Sequence, residues 1–324
     1  MNQNPSPVMI ITPKDEAHWL QMRTQDVTST ESAALFGMSP YVTHFELWHR
    51  KQSGEQPEFQ QNERMRWGNR LEAAIAHGIA EERGWTIEPM KDYWRDPDAR
   101  IGSSFDFLIT NDPDGPAHLE IKNVDYLAFR NGWLIHDDGE IEAPEHIEMQ
   151  VQHQMAVSGF KKAYVCAFVG GNRYRVIERH RSERVIAAIR LAVAKFWRSV
   201  SKNEPPPPMM PEDADALIRL HSYAEPGKIL DASSDAEIAS LVREYQRASL
   251  AEKEATEDKQ TAKAQLLERI GDAERVLGLC WTISASMIAD TPPTTITAEM
   301  IGTTYGGRKG YRGLRITTKK GNKQ

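Results

Sequence analysis

Cysteine is almost missing from this 324-residue chain: Cys166 and Cys280 stand far apart, with no C-x-x-C pair and no zinc-like spacing. A disulfide framework and a cysteine-rich metal site are excluded, and a reducing cytosol is the expected compartment. No apolar run approaches the roughly 20 residues that span a bilayer, and the opening MNQNPSPVMII lacks a signal-peptide layout. The sequence has no G-x-x-x-x-G-K-S/T phosphate loop, so Gly170-Gly171 reads as a hairpin turn. No repeat period is visible. Basic charge is not in surplus either: Lys and Arg number 40 against 46 Asp and Glu, a net charge of −6. Coating nucleic acid by bulk attraction is disfavoured, while a local basic groove is still allowed.

What is present has ordinary globular proportions, with 40% hydrophobic and 27% charged residues. The run EPPPPMMPED at 204–213 favours an extended connector. It divides a body, residues 1–203, from a C-terminal region, residues 214–324. In the body, periodicity predicts helices over 31–36, 45–51, 67–83, 145–159 and 182–200. Strands are predicted over 85–90, 104–110, 118–123, 163–169 and 173–178, with Asn111-Asp-Pro-Asp-Gly115 turning a hairpin. The alternation implies an α/β or α+β domain around one mixed sheet. The C-terminal region reads as one long solvated helix or a helical hairpin over 235–270. Short strands follow over 276–288 and 314–318, and a basic, glycine-rich tail closes the chain.

Ser104-Phe-Asp106 followed by Glu120-Ile-Lys122 carries the chemistry. Period two puts Glu120 and Lys122 on one face, and the hairpin brings Asp106 alongside from the preceding strand. Two carboxylates and a lysine suit a hard divalent cation that takes oxygen ligands. A surface hairpin with alternating charges has the same spacing. Glu72, on an apolar helix beside Leu71 and Ile75, reads as a site residue or a solvated flank. Gln152, on a face with Met149 and Met155, reads as a site residue or a packing group. His136-Asp-Asp-Gly-Glu140 reads as a solvated turn, and His146 and His153 as packing or solvent-facing residues.

Taken in order, Trp19…Arg23, Val27-Thr-Ser-Thr-Glu31, Trp67-Gly-x-x-x-Glu72, Ser104-Phe-Asp106, Glu120-Ile-Lys122 and Gln150-Val-Gln152 resemble the lambda-exonuclease/YqaJ phage recombinase group of the PD-(D/E)XK nucleases. The resemblance covers roughly residues 17–200. It implies a nuclease core with a central mixed sheet flanked by helices, plus a C-terminal helical and small β extension. It implies that Asp106, Glu120, Glu72 and the backbone carbonyl of Ile121 hold two Mg²⁺ ions (or Mn²⁺), with Lys122 working beside them. Gln152 matches the glutamine next to the active site. Arg23 and Thr30 match residues that hold a 5′-phosphate, with Arg130 as a candidate third. Thr30 departs from the usual serine, and no proline follows Lys122 by two residues.

The implied activity is a 5′→3′ exonuclease on double-stranded DNA ends, leaving 3′ overhangs for a single-strand annealing protein. A ring-shaped homo-oligomer in the cytoplasm of a bacterial host or prophage carrier, with no membrane association, is the expected setting. The alternatives are an endonuclease on the same core and a catalytically silent DNA-binding module. The tail from Arg308 onward holds seven Lys or Arg and no acid, and is either a solvated terminus or a set of extra phosphate contacts.

Overall fold

The computed structural model describes residues 8–54 and 62–289, so the basic tail and the strand expected at 314–318 lie outside the described residues. Two units divide the chain, Met1–Leu217 and Ile218–Gln324.

The first unit opens with β1 (Met9–Ile11), α1 (Glu16–Thr24), β2 (Val27–Thr28), a 3₁₀ turn (Ser32–Phe36) and α2 (His44–Ser53). Then come α3 (Glu63–Arg83), β3 (Ile87–Pro89), β4 (Tyr93–Asp96), β5 (Ile101–Ser103), β6 (Phe107–Ile109) and β7 (Ala117–Val124). After α4 (Tyr126–Gly132) and the small pair β8 (Leu134–Ile135) and β9 (Ile141–Glu142) the chain forms α5 (Glu145–Ser158). Strands β10 (Lys162–Val169) and β11 (Arg173–His180) lead into α6 (Glu183–Lys202), and α7 (Ala214–Leu220) runs across the division.

The expected central mixed sheet has the order β11-β10-β7-β6-β3. Only β10 and β7 are parallel in it, with Lys162 opposite Ala117 and Val169 opposite Val124. A second, four-stranded sheet, β1-β4-β5-β2, stands where one sheet was expected. Of the strand expected over 104–110 only β6 forms: β5 ends at Ser103 in the smaller sheet and β6 starts at Phe107 in the larger, so Asp106 sits in the crossing and not on a strand. Its backbone carbonyl accepts the Met90 N–H at 3.0 Å and its side chain accepts the Ile121 N–H at 2.7 Å. A short acidic side chain that caps a neighbouring backbone in this way competes with ladder pairing.

Helices cover both faces of the larger sheet. Ile75, Ala76 and Ile79 of α3 pack on Phe107, Ile109, Leu119 and Ile121. Val151 and Met155 of α5 and Ile189, Val193 and Phe196 of α6 pack with Val165, Ala167 and Ile177. Full burial of such side chains stabilises by about 1.5–3 kcal/mol each. Helix ends follow local chemistry. The Asn62 side chain accepts the Met65 N–H at the start of α3, and Gly84 closes it in the left-handed region. A Cβ on Gly102 would meet the Tyr93 hydroxyl, so β5 needs glycine there.

The proline run joins the first unit. Asp213, 1% exposed, accepts hydrogen bonds from the Thr43 hydroxyl and the Met209 N–H. A connector was expected at 204–213, whereas the division falls after Leu217. The second unit contains α8 (Ala236–Ile270), a single helix and not a hairpin, and the antiparallel pair β12 (Arg275–Leu277) and β13 (Thr282–Ser284).

Candidate active site

Alternation along β7 sends Leu119 and Ile121 into the core under α3 and Glu120 and Lys122 to the opposite face. There Lys122 Nζ lies 2.7 Å from Glu120 Oε1. Gln150 of α5 joins both: its Nε2 donates to Glu120 Oε1 at 2.6 Å and its Oε1 accepts from Lys122 Nζ at 3.1 Å. Gln154, one turn on, donates to Glu120 Oε2 at 2.6 Å. Glu120 is 4% exposed, and three donors satisfy its buried carboxylate.

Asp106 and Glu72 are drawn into the same field. Burial raises the Asp106 pKa well above the carboxylate range, and the Glu120 and Glu72 charges push it further. Glu72 is raised by burial and by Glu120, against a lowering by Lys122. Burial opposes the Lys122 charge, but Glu120 and Asp106 outweigh it and hold that pKa raised. Three carboxylates therefore crowd around one ammonium, an excess of negative charge that a cation would relieve. Among the described residues no three Asp, Glu, His or Cys side chains stand ready to ligate one ion. The donor chemistry fits a hard cation nonetheless, because carboxylate oxygens retain free lone pairs and a hydrated divalent ion needs only a few protein oxygens.

Gln152 is corrected by the structure. Its Nε2 donates to the His180 carbonyl at 2.8 Å and its Oε1 accepts the Ser182 N–H at 2.9 Å. It ties α5 to the end of β11, facing away from Glu120. Two residues along a helix turn the side chain by about 200°, so Gln150 and Gln154, spaced i,i+4, share the face that Gln152 lacks. That spacing is the signal by which both were findable.

Arg23 and Thr30 come together as expected, with Arg23 Nη2 3.2 Å from Thr30 Oγ1. The guanidinium lies 4.5 Å over the Trp19 ring, and Trp19 Nε1 donates to Ser104 Oγ at 2.8 Å. A chain of contacts thus links Arg23 to the residue two before Asp106. Beneath it, the buried Lys51 pairs with Glu31 at 2.8 Å and donates to the Arg23 carbonyl at 2.7 Å. The Glu31 carboxylate also accepts the Thr28 N–H at 2.9 Å. Lys51 has no signal in the sequence, while Trp19 and Ser104 lie within motif segments but nothing in the sequence pairs them. Arg130 is exposed on α4 and donates to its neighbour Asn131 at 3.4 Å.

Residues 18–161 match the family described as the YqaJ-like viral recombinase domain. Residues 18–161 are thus similar to a YqaJ-like domain. That span takes in every side chain of the carboxylate–lysine–glutamine cluster and of the Arg23 cluster. Over 183 residues the chain is 30% identical to Uncharacterized protein YqaJ of Bacillus subtilis (strain 168), an overlap of 55% of this chain and 54% of that protein. The chain thus spans about half the length of the curated relative it matches. Among solved structures, an alkaline exonuclease from Laribacter hongkongensis aligns at 20% identity and TM-score 0.46, over 58% of this chain and 94% of its own. A phage related exonuclease from Haemophilus somnus 129PT aligns at 11% identity and TM-score 0.41, over 55% and 94%.

Proposed function

We propose that the YqaJ-like domain is a divalent-metal-dependent deoxyribonuclease that digests one strand of duplex DNA from its 5′ end. The observation that supports this most is the Glu120–Lys122–Gln150 triangle, with Glu120 and Gln150 buried and Lys122 partly exposed, set among carboxylates that repel one another. In this reading Asp106, Glu120, Glu72 and the Ile121 carbonyl hold Mg²⁺, with Mn²⁺ able to substitute and two ions per site. When bound, the metal offsets phosphate charge and acidifies water. Lys122 Nζ orients the attacking water and faces the charge that builds on the phosphate. Gln150 fixes the lysine and Glu120 in one geometry, so no reorganisation accompanies reaction. Arg23 and Thr30 receive the terminal 5′-phosphate, with Arg130 a candidate third contact.

The product would be a duplex with a 3′ overhang, suited to a single-strand annealing protein, and a ring of copies would keep the enzyme on its DNA. Such a nuclease would work in the cytoplasm. The deciding experiment offers linear and closed-circular duplex with Mg²⁺ or with EDTA. Release of mononucleotides from linear DNA alone, only with metal and from the 5′-labelled strand end, is the expected result. Nicked circles would make the chain an endonuclease. Binding without cleavage would make it a silent assembly module.

A further inference from the structure

Residues four apart on a helix stack on one face, so His146, Gln150 and Gln154 form a single row along α5. The inner two grip Glu120; His146 is the next member outward, at the first turn and half-buried. Tyr41, from the loop before α2, meets it at right angles, with ring centroids 5.5 Å apart and an interplanar angle of 89°. The loop is held from within: the Ser39 hydroxyl accepts the Tyr41 N–H at 3.2 Å and the Val42 N–H at 3.3 Å. Tyr41 is nevertheless 76% exposed. An edge-on contact covers at most one face of either ring. Gln150, one turn along the same face, accepts from Lys122 Nζ at 3.1 Å, so His146 stands one turn from the residue that holds the lysine. A single exposed tyrosine is unremarkable on a protein surface; one anchored to the row that builds the site is not.

We propose that Tyr41, its ring propped by His146, is the stacking platform for the nucleobase attached to the phosphate at Glu120 and Lys122. This rests on the nuclease reading above. One helical turn, about 5.4 Å, separates the His146 level from the Gln150 level, comparable to the step from a phosphate across its sugar to the base. Every base has a π-face, so a tyrosine platform is sequence-tolerant, as digestion of any DNA end requires. Tyr41 is a positioning residue: it would hold the unpaired terminal nucleotide in line without touching the reacting bond.

The test uses the full chain with Asp106→Ala and a duplex bearing 2-aminopurine at the 5′-terminal nucleotide. Binding should quench the fluorophore, Tyr41→Ala should abolish the quench, and Tyr41→Trp should restore it. In the chain with Asp106 intact, Tyr41→Ala should raise KM for normal duplex by about 5- to 100-fold, with kcat little changed. On a substrate whose terminal nucleotide is abasic, wild type and Tyr41→Ala should have equal KM. An unchanged quench in Tyr41→Ala, or the same KM penalty on abasic and normal ends, overturns the platform while leaving nuclease activity standing. Failure of wild type to cut any duplex strikes the nuclease reading instead, and the quench still decides whether Tyr41 stacks on a bound base.

Discussion

Helices α5 and α8 make the sharpest contrast in the molecule. Of the 14 residues of α5, nine are buried, among them Gln150, Gln152, His153 and Gln154. Over the 35 residues of α8, none is buried. Each is explained by a different balance. The α8 sequence is rich in Ala, Glu, Lys and Gln, good helix formers, and is longer than the ~12–15 residues below which isolated helices are marginal. Asp235 caps it by accepting the Glu237 and Ile238 N–H groups. It needs no partner to be helical. α5 is held by its surroundings, and burial presses its polar side chains toward partners, as Gln150, Gln152 and Gln154 find through their amide nitrogens. Function is concentrated where polar groups carry that obligation.

The largest effect should come from breaking the α5 side at its centre. Asp106→Ala or Glu120→Ala removes a proposed metal ligand and should lower cleavage about 10³-fold or more while DNA-end binding persists. Near-normal digestion with Mg²⁺ by either variant would falsify the metal assignment.

The neighbouring glutamines sharpen the contrast within α5 itself. Gln150→Leu deprives Glu120 and Lys122 of their shared partner, and kcat should fall roughly 10- to 100-fold, the scale of losing groups that orient ligands. Gln152→Leu breaks the bonds to His180 and Ser182. It should cost about 1–3 kcal/mol of stability and leave the rate per folded molecule alone. Rate assays paired with urea unfolding separate the two, and a reversed pattern would return Gln152 to the site.

Arg23 should show a smaller, more selective loss. A charge-assisted contact contributes about 1.5–3 kcal/mol, so wild type should prefer 5′-phosphate over 5′-hydroxyl ends about tenfold or more. Arg23→Ala should be nearly indifferent. If the variant keeps the full preference, the phosphate pocket is elsewhere.

The limits of sequence reading follow the same divide. Helices α2, α3, α5, α6 and α8 and the β10–β11 hairpin are legible because their apolar period is long and their ends carry Gly, Asn or Ser, whereas α1, α4 and α7 are too short to show one. Glu120 and Lys122 are legible too, their facing following from strand alternation alone. Asp106 was found but misplaced on a strand, because a three-residue crossing between two sheets leaves no periodic trace. The second sheet was missed for a related reason: β2 has two residues and β1 and β5 three each, too short to alternate. Gln152 was preferred over Gln150 on resemblance. Which glutamine faces Glu120 depends on the rotation of α5 against β7, and that is set by tertiary packing.

Acid should expose the cost of the buried histidines. Burial lowers His118 to about 3 and His153 to about 4, below the usual 6.5. The unfolded chain therefore takes up protons first. The stability is fully present above pH 6.5 and is lost as pH falls toward 4, by up to ~1.4 kcal/mol per pH unit for each histidine. Urea midpoints at pH 7, 5.5 and 4.5 should fall along that slope. His153→Leu should remove one histidine's share of it; an unchanged slope would mean that His153 titrates normally.

The smallest effect belongs to α8. Met155 on α5 is fully buried, and Met155→Ala should cost about 2–5 kcal/mol because a cavity replaces packed atoms. Leu250 on α8 is 57% exposed. Leu250→Ala leaves no cavity and exchanges one good helix former for a better one, so the change should stay within about 0.5 kcal/mol. Far-ultraviolet melts at two protein concentrations make the comparison. A loss at Leu250 approaching that at Met155 would mean that α8 buries this face against another chain. A melting temperature that rises with protein concentration should accompany it, since self-association stabilises by mass action. That outcome would locate the expected oligomer contact on the second unit. A small loss, independent of concentration, leaves any oligomer to be built by the first.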